Sequence, residues 1–383
     1  MKARKKITSG ALFALYALIM LEGLVMATPF GLFLYSFYLP FLEVARQSVL
    51  TAWVAAFFLP HSVYETTSAL IEFIRWKGPY LFFIGLIGFF VFAAQVYYAK
   101  FRQRGVVRNF VYSYIRHPQY LFFILAGIGL LFMWPRMMML ILFTVMSVIY
   151  FYLAKFEERR MKAKHPEYSD YMKKTAMFIP GNPGGRIFKL LLGGIPNRVI
   201  AQITAVLMVS ALIFGSALGL RNLTATHVSA AKMPAENILA ISIYLHPEEY
   251  LRDVVHKTLS FGPVQEALVK QGKVSFTAHL LPADYGMLGM FAEVDDPAER
   301  LRSFRKRSSL RSWLWGTDTD KLKVVLSKID KPGQSFVPLD EIMDLSAKMT
   351  PVLVADLDLT KGGVTKVTLT STTHFGEVPQ PIF

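Results

Sequence analysis

Two short polar clusters carry the side chains most suited to chemistry: Arg116-His117-Pro118-Gln119-Tyr120 and Glu157-Glu158-Arg159-Arg160-Met161. Arg and His suit a carboxylate, Glu suits an ammonium group or ribose hydroxyls, and Tyr suits ring stacking or a cationic centre. Together they fit a zwitterionic, polyhydroxylated ligand. A third cluster follows, His165-Pro166-Glu167-Tyr168-Ser169-Asp170-Tyr171, and Phe178-Ile179-Pro180 closes the stretch. Tyr168 and Tyr171, three residues apart, share one helical face.

These clusters bracket apolar segments. The chain has 383 residues, 53% hydrophobic and only 18% charged, with 31 Phe and 17 Tyr, which is too apolar for an ordinary soluble enzyme. A bilayer core of about 30 Å needs roughly 20 apolar residues per helix. Residues 11–37 and 79–99 meet this, 120–134 and 137–154 read as a tight helical hairpin joined by Trp134-Pro135-Arg136, and 198–220 is a fifth span. Such a hairpin brings its two ends together, so Arg116-His117 and Glu157-Glu158 face one pocket. Residues 48–61, apolar but short and ending at Pro60, read as an interfacial or re-entrant helix.

Charge sets orientation. Of the formal net charge of +15, residues 1–220 contribute 23 Lys and Arg against 8 Asp and Glu, whereas 221–383 hold 19 of each. The excess lies beside the apolar spans, at the N-terminus and in 100–116 and 155–198, as expected of cytoplasmic loops; a nucleic-acid surface would need a basic face on a soluble fold. Nucleic acid is therefore not an expected partner. The N-terminus and the polar pocket are expected on the cytoplasmic side of an inner membrane, with the chain from 221 onward extracytoplasmic. Absence of cysteine excludes disulfides, thiolate metal sites and cysteine nucleophiles. His61, His227, His246, His256, His279 and His374 show no metal-ligand spacing, and no metal is expected.

From about 236 the pattern changes to short strands and helices. Strands are expected at 238–244, 274–281, 288–294, 323–329, 352–358 and 364–371, the last two joined at Lys361-Gly362-Gly363, with helices at 247–259 and 297–307. The fold class is thus an α-helical integral membrane protein of about five transmembrane helices followed by an extramembrane α+β domain. The divisions fall at 1–78 (first span and interfacial segment), 79–197 (helical core with the polar clusters), 198–220 (fifth span) and 221–383. The outer domain is a candidate surface for a protein partner, and the basic run 300–311 with Trp313 and Trp315 for anionic lipid or an acidic partner. Glu22, within the first span, is a further candidate carboxylate.

Across 79–180 the chain resembles the integral-membrane methyltransferase superfamily of isoprenylcysteine carboxyl methyltransferases and phospholipid N-methyltransferases. The matching pattern comprises Arg116, His117, Pro118 and Tyr120, then Glu157 and Glu158 with Met161 in place of leucine, then Glu167, Tyr168 and Tyr171, and finally Pro180. What the resemblance implies is S-adenosylmethionine held on the cytoplasmic side by Arg116, His117, Tyr120, Glu157 and Glu158, with a lipid or other hydrophobic acceptor entering from the bilayer near Tyr168 and Tyr171. One position departs: the family glycine falls at Phe122, where a ring would fill space that helix packing or the cofactor needs. The alternative is a non-catalytic membrane scaffold that works through its C-terminal domain.

Overall fold

The structure, a computed structural model, describes residues 41–60, 63, 65–102, 106–283 and 320–370, and every structural statement below concerns these. The expected first span with Glu22, His61, the strand at 288–294, the helix at 297–307, the basic run 300–311 with Trp313 and Trp315, and His374 lie outside the described residues. Two compact units emerge. One is Phe73–Gly219; the other joins the residues up to Glu72 with those from Leu220 onward.

The first unit is helical. Helix α1, Ala69–Phe101, begins ten residues before the expected start at Pro79, which the helix carries inside it. Helix α2, Pro118–Met133, places Pro118 in its first turn, where a missing N–H costs nothing. It stops before Trp134-Pro135-Arg136, and α3, Met137–Lys164, returns from there. Short helices α4, Tyr168–Lys174, and α5, Pro183–Leu192, precede α6, Arg198–Ala225. Three helical stretches are long and apolar enough to cross a membrane: Ala69–Val96, Met137–Lys164 and Arg198–Ala225. With 16 residues, α2 is about 24 Å long, shorter than a bilayer core. The described residues therefore show three of the five expected spans at full length, and a fourth as a shorter apolar helix.

Glycines set the crossing of α1 and α2. A methyl at Gly85 would overlap the backbone of Phe122 and Ala126, and one at Gly129 would overlap the backbone at Phe82. Close approach through small residues is how helices gain dispersion contacts where no hydrophobic force separates them from lipid.

The second unit is built on one six-stranded sheet in sequence order: β1 Ser229–Met233, β2 Ile238–Ser242, β3 Phe276–Pro282, β4 Lys321–Asp330, β5 Lys348–Asp358 and β6 Gly363–Leu369. All neighbours pair antiparallel except β2 and β3, which are parallel. Their crossover carries α7, Glu248–Leu259, and α8, Gly262–Val269. Those helices cover one face through Leu251, Val254, Val255, Val264 and Ala267; Val63, Val337, Ile342 and Met349 cover the other. Both β2 and β3 are buried along their whole length, as expected of central strands covered on both faces.

Residues 48–61 differ from expectation. Only Ala52–Ala55 forms a helix there, a single 3-10 turn, and the guanidinium of Arg221 in the sheet unit donates to the Phe57 carbonyl. Arg221 also bonds the Met343 carbonyl, Arg46 reaches the Ala347 carbonyl at 3.3 Å, and the Glu65 N–H bonds the Ile243 carbonyl at 3.1 Å. Ala52 and residues 55–59 are buried in this unit, whereas Val49 and Leu50 are exposed.

Candidate functional site

Local sequence explains why the two polar clusters meet. Helix α2 starts immediately after His117, α3 extends ten residues beyond its apolar stretch to Lys164, and only three residues link the helices at the far end. The start of α2 therefore lies beside the end of α3. Arg116 Nε lies 2.6 Å from Glu158 Oε1 in a buried ion pair. His117 Nε2 is 3.3 Å from Glu158 Oε1, and its Nδ1 is 3.6 Å from Glu157 Oε2. Tyr120 donates its hydroxyl to Glu157 Oε1 at 2.8 Å.

The carboxylates are not equivalent. Glu158 is buried, held by Arg116 and His117, whereas the Glu157 side chain is 31% exposed with Tyr120 as partner. Nor are the two nitrogen side chains. Arg116 Nη1 is engaged by the Met172 carbonyl at 3.2 Å, the Thr175 carbonyl and Thr175 Oγ1 at 3.3 Å, so the guanidinium ties α2, α3 and the end of α4 together. His117 is only 4% exposed, yet neither ring nitrogen makes a hydrogen bond; the nearest carboxylate oxygens lie 3.3 and 3.6 Å away but out of hydrogen-bond alignment. A buried polar side chain so placed calls for an explanation.

Aromatic rings build the walls. His117 stacks on Tyr120 at 5.7 Å and 12°, and Tyr120 stacks on Tyr150 at 5.6 Å and 10°. Residues 175–178 run parallel to 114–117: Arg116 N–H bonds the Ala176 carbonyl, His117 N–H bonds the Met177 carbonyl, and Phe178 lies 6.0 Å from the His117 ring. The closing Phe178-Ile179-Pro180 motif is thereby laid against the histidine.

Tyr168 and Tyr171 are brought into the same region but are buried and in edge contact at 5.5 Å. Tyr171 donates to the Tyr112 carbonyl, and Tyr112 donates to the Phe92 carbonyl at 3.0 Å and to Gln119 at 3.2 Å. Burial pushes the Tyr171 phenol up to about 12, and those of Tyr112 and Tyr168 higher, so all three stay protonated. The Tyr168 and Tyr171 phenols lie near enough to Arg116 and Glu158 to feel their charges.

Phe122 does not enter the cluster. Its ring lies over Gly88 of α1, where any added methyl would overlap it, and packs on Phe92 at 5.1 Å. The glycine missing from α2 is matched by one on the facing helix, so bulk has moved across the helix contact. Sequence reasoning overlooked Gly88, Tyr112, Tyr150 and Thr175. Tyr150 had a usable signal, since it sits seven residues before Glu157 and so on the same helix face; Thr175 had none.

With the motif residues joined in one cluster by a helical hairpin, comparison with known families decides the assignment. Residues 83–167 match the phospholipid methyltransferase family. No curated protein and no solved structure matches the chain. The matched segment runs from within α1 to the residue before α4, and so contains Gly88, Phe122, His117 and both glutamates. The resemblance carried by the motifs is shown for this segment, and with it methyl transfer at a membrane as the general activity of the family. Among the described residues no group of three His, Asp or Glu could hold a metal ion.

Proposed function

We propose that this chain is an S-adenosylmethionine-dependent methyltransferase of the inner membrane that methylates a lipid or other hydrophobic acceptor. One observation carries the proposal: His117 is buried between Glu157 and Glu158, forty residues away in sequence, with both ring nitrogens lacking a hydrogen bond. An imidazole, a partly open carboxylate and a phenol are the donors and acceptors that an amino-acid carboxylate, an ammonium group and ribose hydroxyls require. The residues present therefore fit the cofactor.

The bound cofactor supplies an electrophilic methyl group on a sulfonium. The chain's own part is positional. Glu157 and Tyr120 offer acceptor and hydroxyl at the open edge, and His117 offers a ring N–H. Arg116 acts on Glu158, fixing its carboxylate against the histidine. Phe178 and the stacked Tyr120 and Tyr150 exclude water around the reacting group, and orientation supplies the rate. No covalent nucleophile is needed, which agrees with a chain that has no cysteine.

Topology supports a fourth crossing. Residues 41–72 and those from Leu220 onward share one compact unit and several hydrogen bonds, so they occupy one side of the bilayer. That requires an even number of crossings between them. Helices α1, α3 and α6 alone give three, so α2 crosses with α3 and its short length is met by local thinning of the bilayer. In this reading the N-terminus and the polar cluster are cytoplasmic and the sheet unit extracytoplasmic.

The test is to supply membranes containing the chain with cofactor labelled in its methyl group. Label is expected in the lipid extract, and to vanish with Glu158→Ala. An unlabelled extract together with no cofactor binding by the purified protein would overturn the proposal.

A further inference from the structure

Helix α5 has a role that the candidate site does not use. Its sequence from Pro183 to Leu192 places Arg186 and Lys189 on one side, and Ile187, Phe188, Leu190, Leu191 and Leu192 on an arc of about 200° opposite them. That arc is largely bare: Leu190 is 83% exposed, Ile187, Phe188 and Leu191 are also exposed, and Leu192 at its edge is buried. Ten residues make under three turns, too short to be stable alone, so an unpaired apolar face needs a surface to lie on.

We infer that α5 lies flat on the bilayer, with its apolar arc among the acyl chains and Arg186 and Lys189 on the headgroups of anionic lipids. Three observations support this occupant over a protein. Helix α5 is separated from α6, a candidate membrane span, by five residues, a reach of at most about 17 Å, so it cannot leave the surface where that span emerges. Residues 172–197 hold Lys173, Lys174, Arg186 and Lys189 and no acidic residue, and each basic residue near an anionic surface adds attraction. The residue layout, basic on the narrow face and bulky aliphatic on the wide one, is that of an interfacial helix. Its start is also fixed: Asn182 accepts the Gly185 N–H at 3.2 Å, and Pro183 occupies the first turn. Docked there, α5 anchors the far end of the 175–178 strap that lies against His117.

The inference rests on membrane insertion and not on methyl transfer, so the two fail independently. The chain has no cysteine, so a single introduced thiol takes a unique spin label. Full-length Leu190→Cys and Lys189→Cys proteins are labelled and reconstituted into vesicles of phosphatidylcholine alone and of phosphatidylcholine with an equal part of phosphatidylglycerol. The Leu190 label is expected to collide with oxygen more than with a water-soluble nickel chelate, and the Lys189 label the reverse. Adding Arg186→Glu and Lys189→Glu to the Leu190 protein is expected to lower the oxygen-to-nickel ratio several-fold in the anionic vesicles. Equal nickel access at 189 and 190 would overturn the inference, as would a Leu190 label shielded from both reagents or broadened by a second label nearby.

Discussion

Each unit of the molecule buries one histidine whose ring nitrogens make no hydrogen bond, and the two could hardly be set more differently. His117, at the start of α2, lies between two carboxylates, stacks on Tyr120 and borders the partly open Glu157. His279, in the middle of β3, is fully buried between Ile241 and Val325 of its neighbouring strands, and burial lowers its pKa to about 4. Burial alone thus does not mark a site. What sets His117 apart is a pair of carboxylates contributed by a distant segment, the kind of charged company in which functional groups are found.

Breaking the helical cluster should have the largest effect. Glu158→Ala leaves Arg116 buried beside an empty position and removes the closest neighbour of His117, at a cost of about 3–5 kcal/mol. Chemical denaturation of the full chain in detergent is expected to show that loss, and the labelled-methyl assay to show no product. Glu158→Gln should recover much of the stability but little of the activity.

The contrasting histidine should behave in the opposite sense. His279 is neutral in the fold and ordinary when unfolded, so the unfolded chain binds the extra proton. Its stability contribution is intact above pH 6.5 and falls by about 3 kcal/mol as the pH drops from 6.5 toward 4. His279→Leu is therefore expected to flatten the stability of the chain across this window while leaving methyl transfer unchanged. An unaltered pH profile in the variant would place the acid sensitivity elsewhere.

Smaller changes probe what surrounds the cluster. Gly88→Ala forces a methyl into the Phe122 ring and should cost about 1–3 kcal/mol, a loss that Phe122→Leu relieves in the double variant. Additive losses would show that the two positions do not compensate each other. Tyr120→Phe removes one hydrogen bond to Glu157 and keeps the ring stack, so cofactor affinity should weaken by no more than about tenfold, about 1.4 kcal/mol, with little change in stability.

What sequence made legible follows from locality. Apolar runs of span length gave α1, α3 and α6, and the three-residue Trp134-Pro135-Arg136 link gave the meeting of His117 with Glu158. Strands β2 to β6 were readable to within a few residues, from their apolar runs. Strand β1, Ser-Ala-Ala-Lys-Met, was missed because short low-propensity strands are fixed by pairing with β2 and not by their own residues. Helix α1 was begun too late because a proline reads as a helix start, whereas here it lies within a longer helix. The segment at 48–61 shows the same limit: apolar residues destined for a protein core and for lipid look alike in sequence, and only partners such as Arg221 tell them apart. The division of labour between Arg116 and His117 was hidden too, because Thr175 and Met172 carry no motif.

The central claim is that His117, and not merely any buried histidine, receives the cofactor. Titration calorimetry of the full-length protein with S-adenosylmethionine, repeated with His117→Ala and His279→Leu, tests this directly. The unmutated and His279→Leu proteins should bind alike, and His117→Ala at least about tenfold more weakly. Absence of binding by the unmutated protein, or equal affinity in His117→Ala, would contradict it.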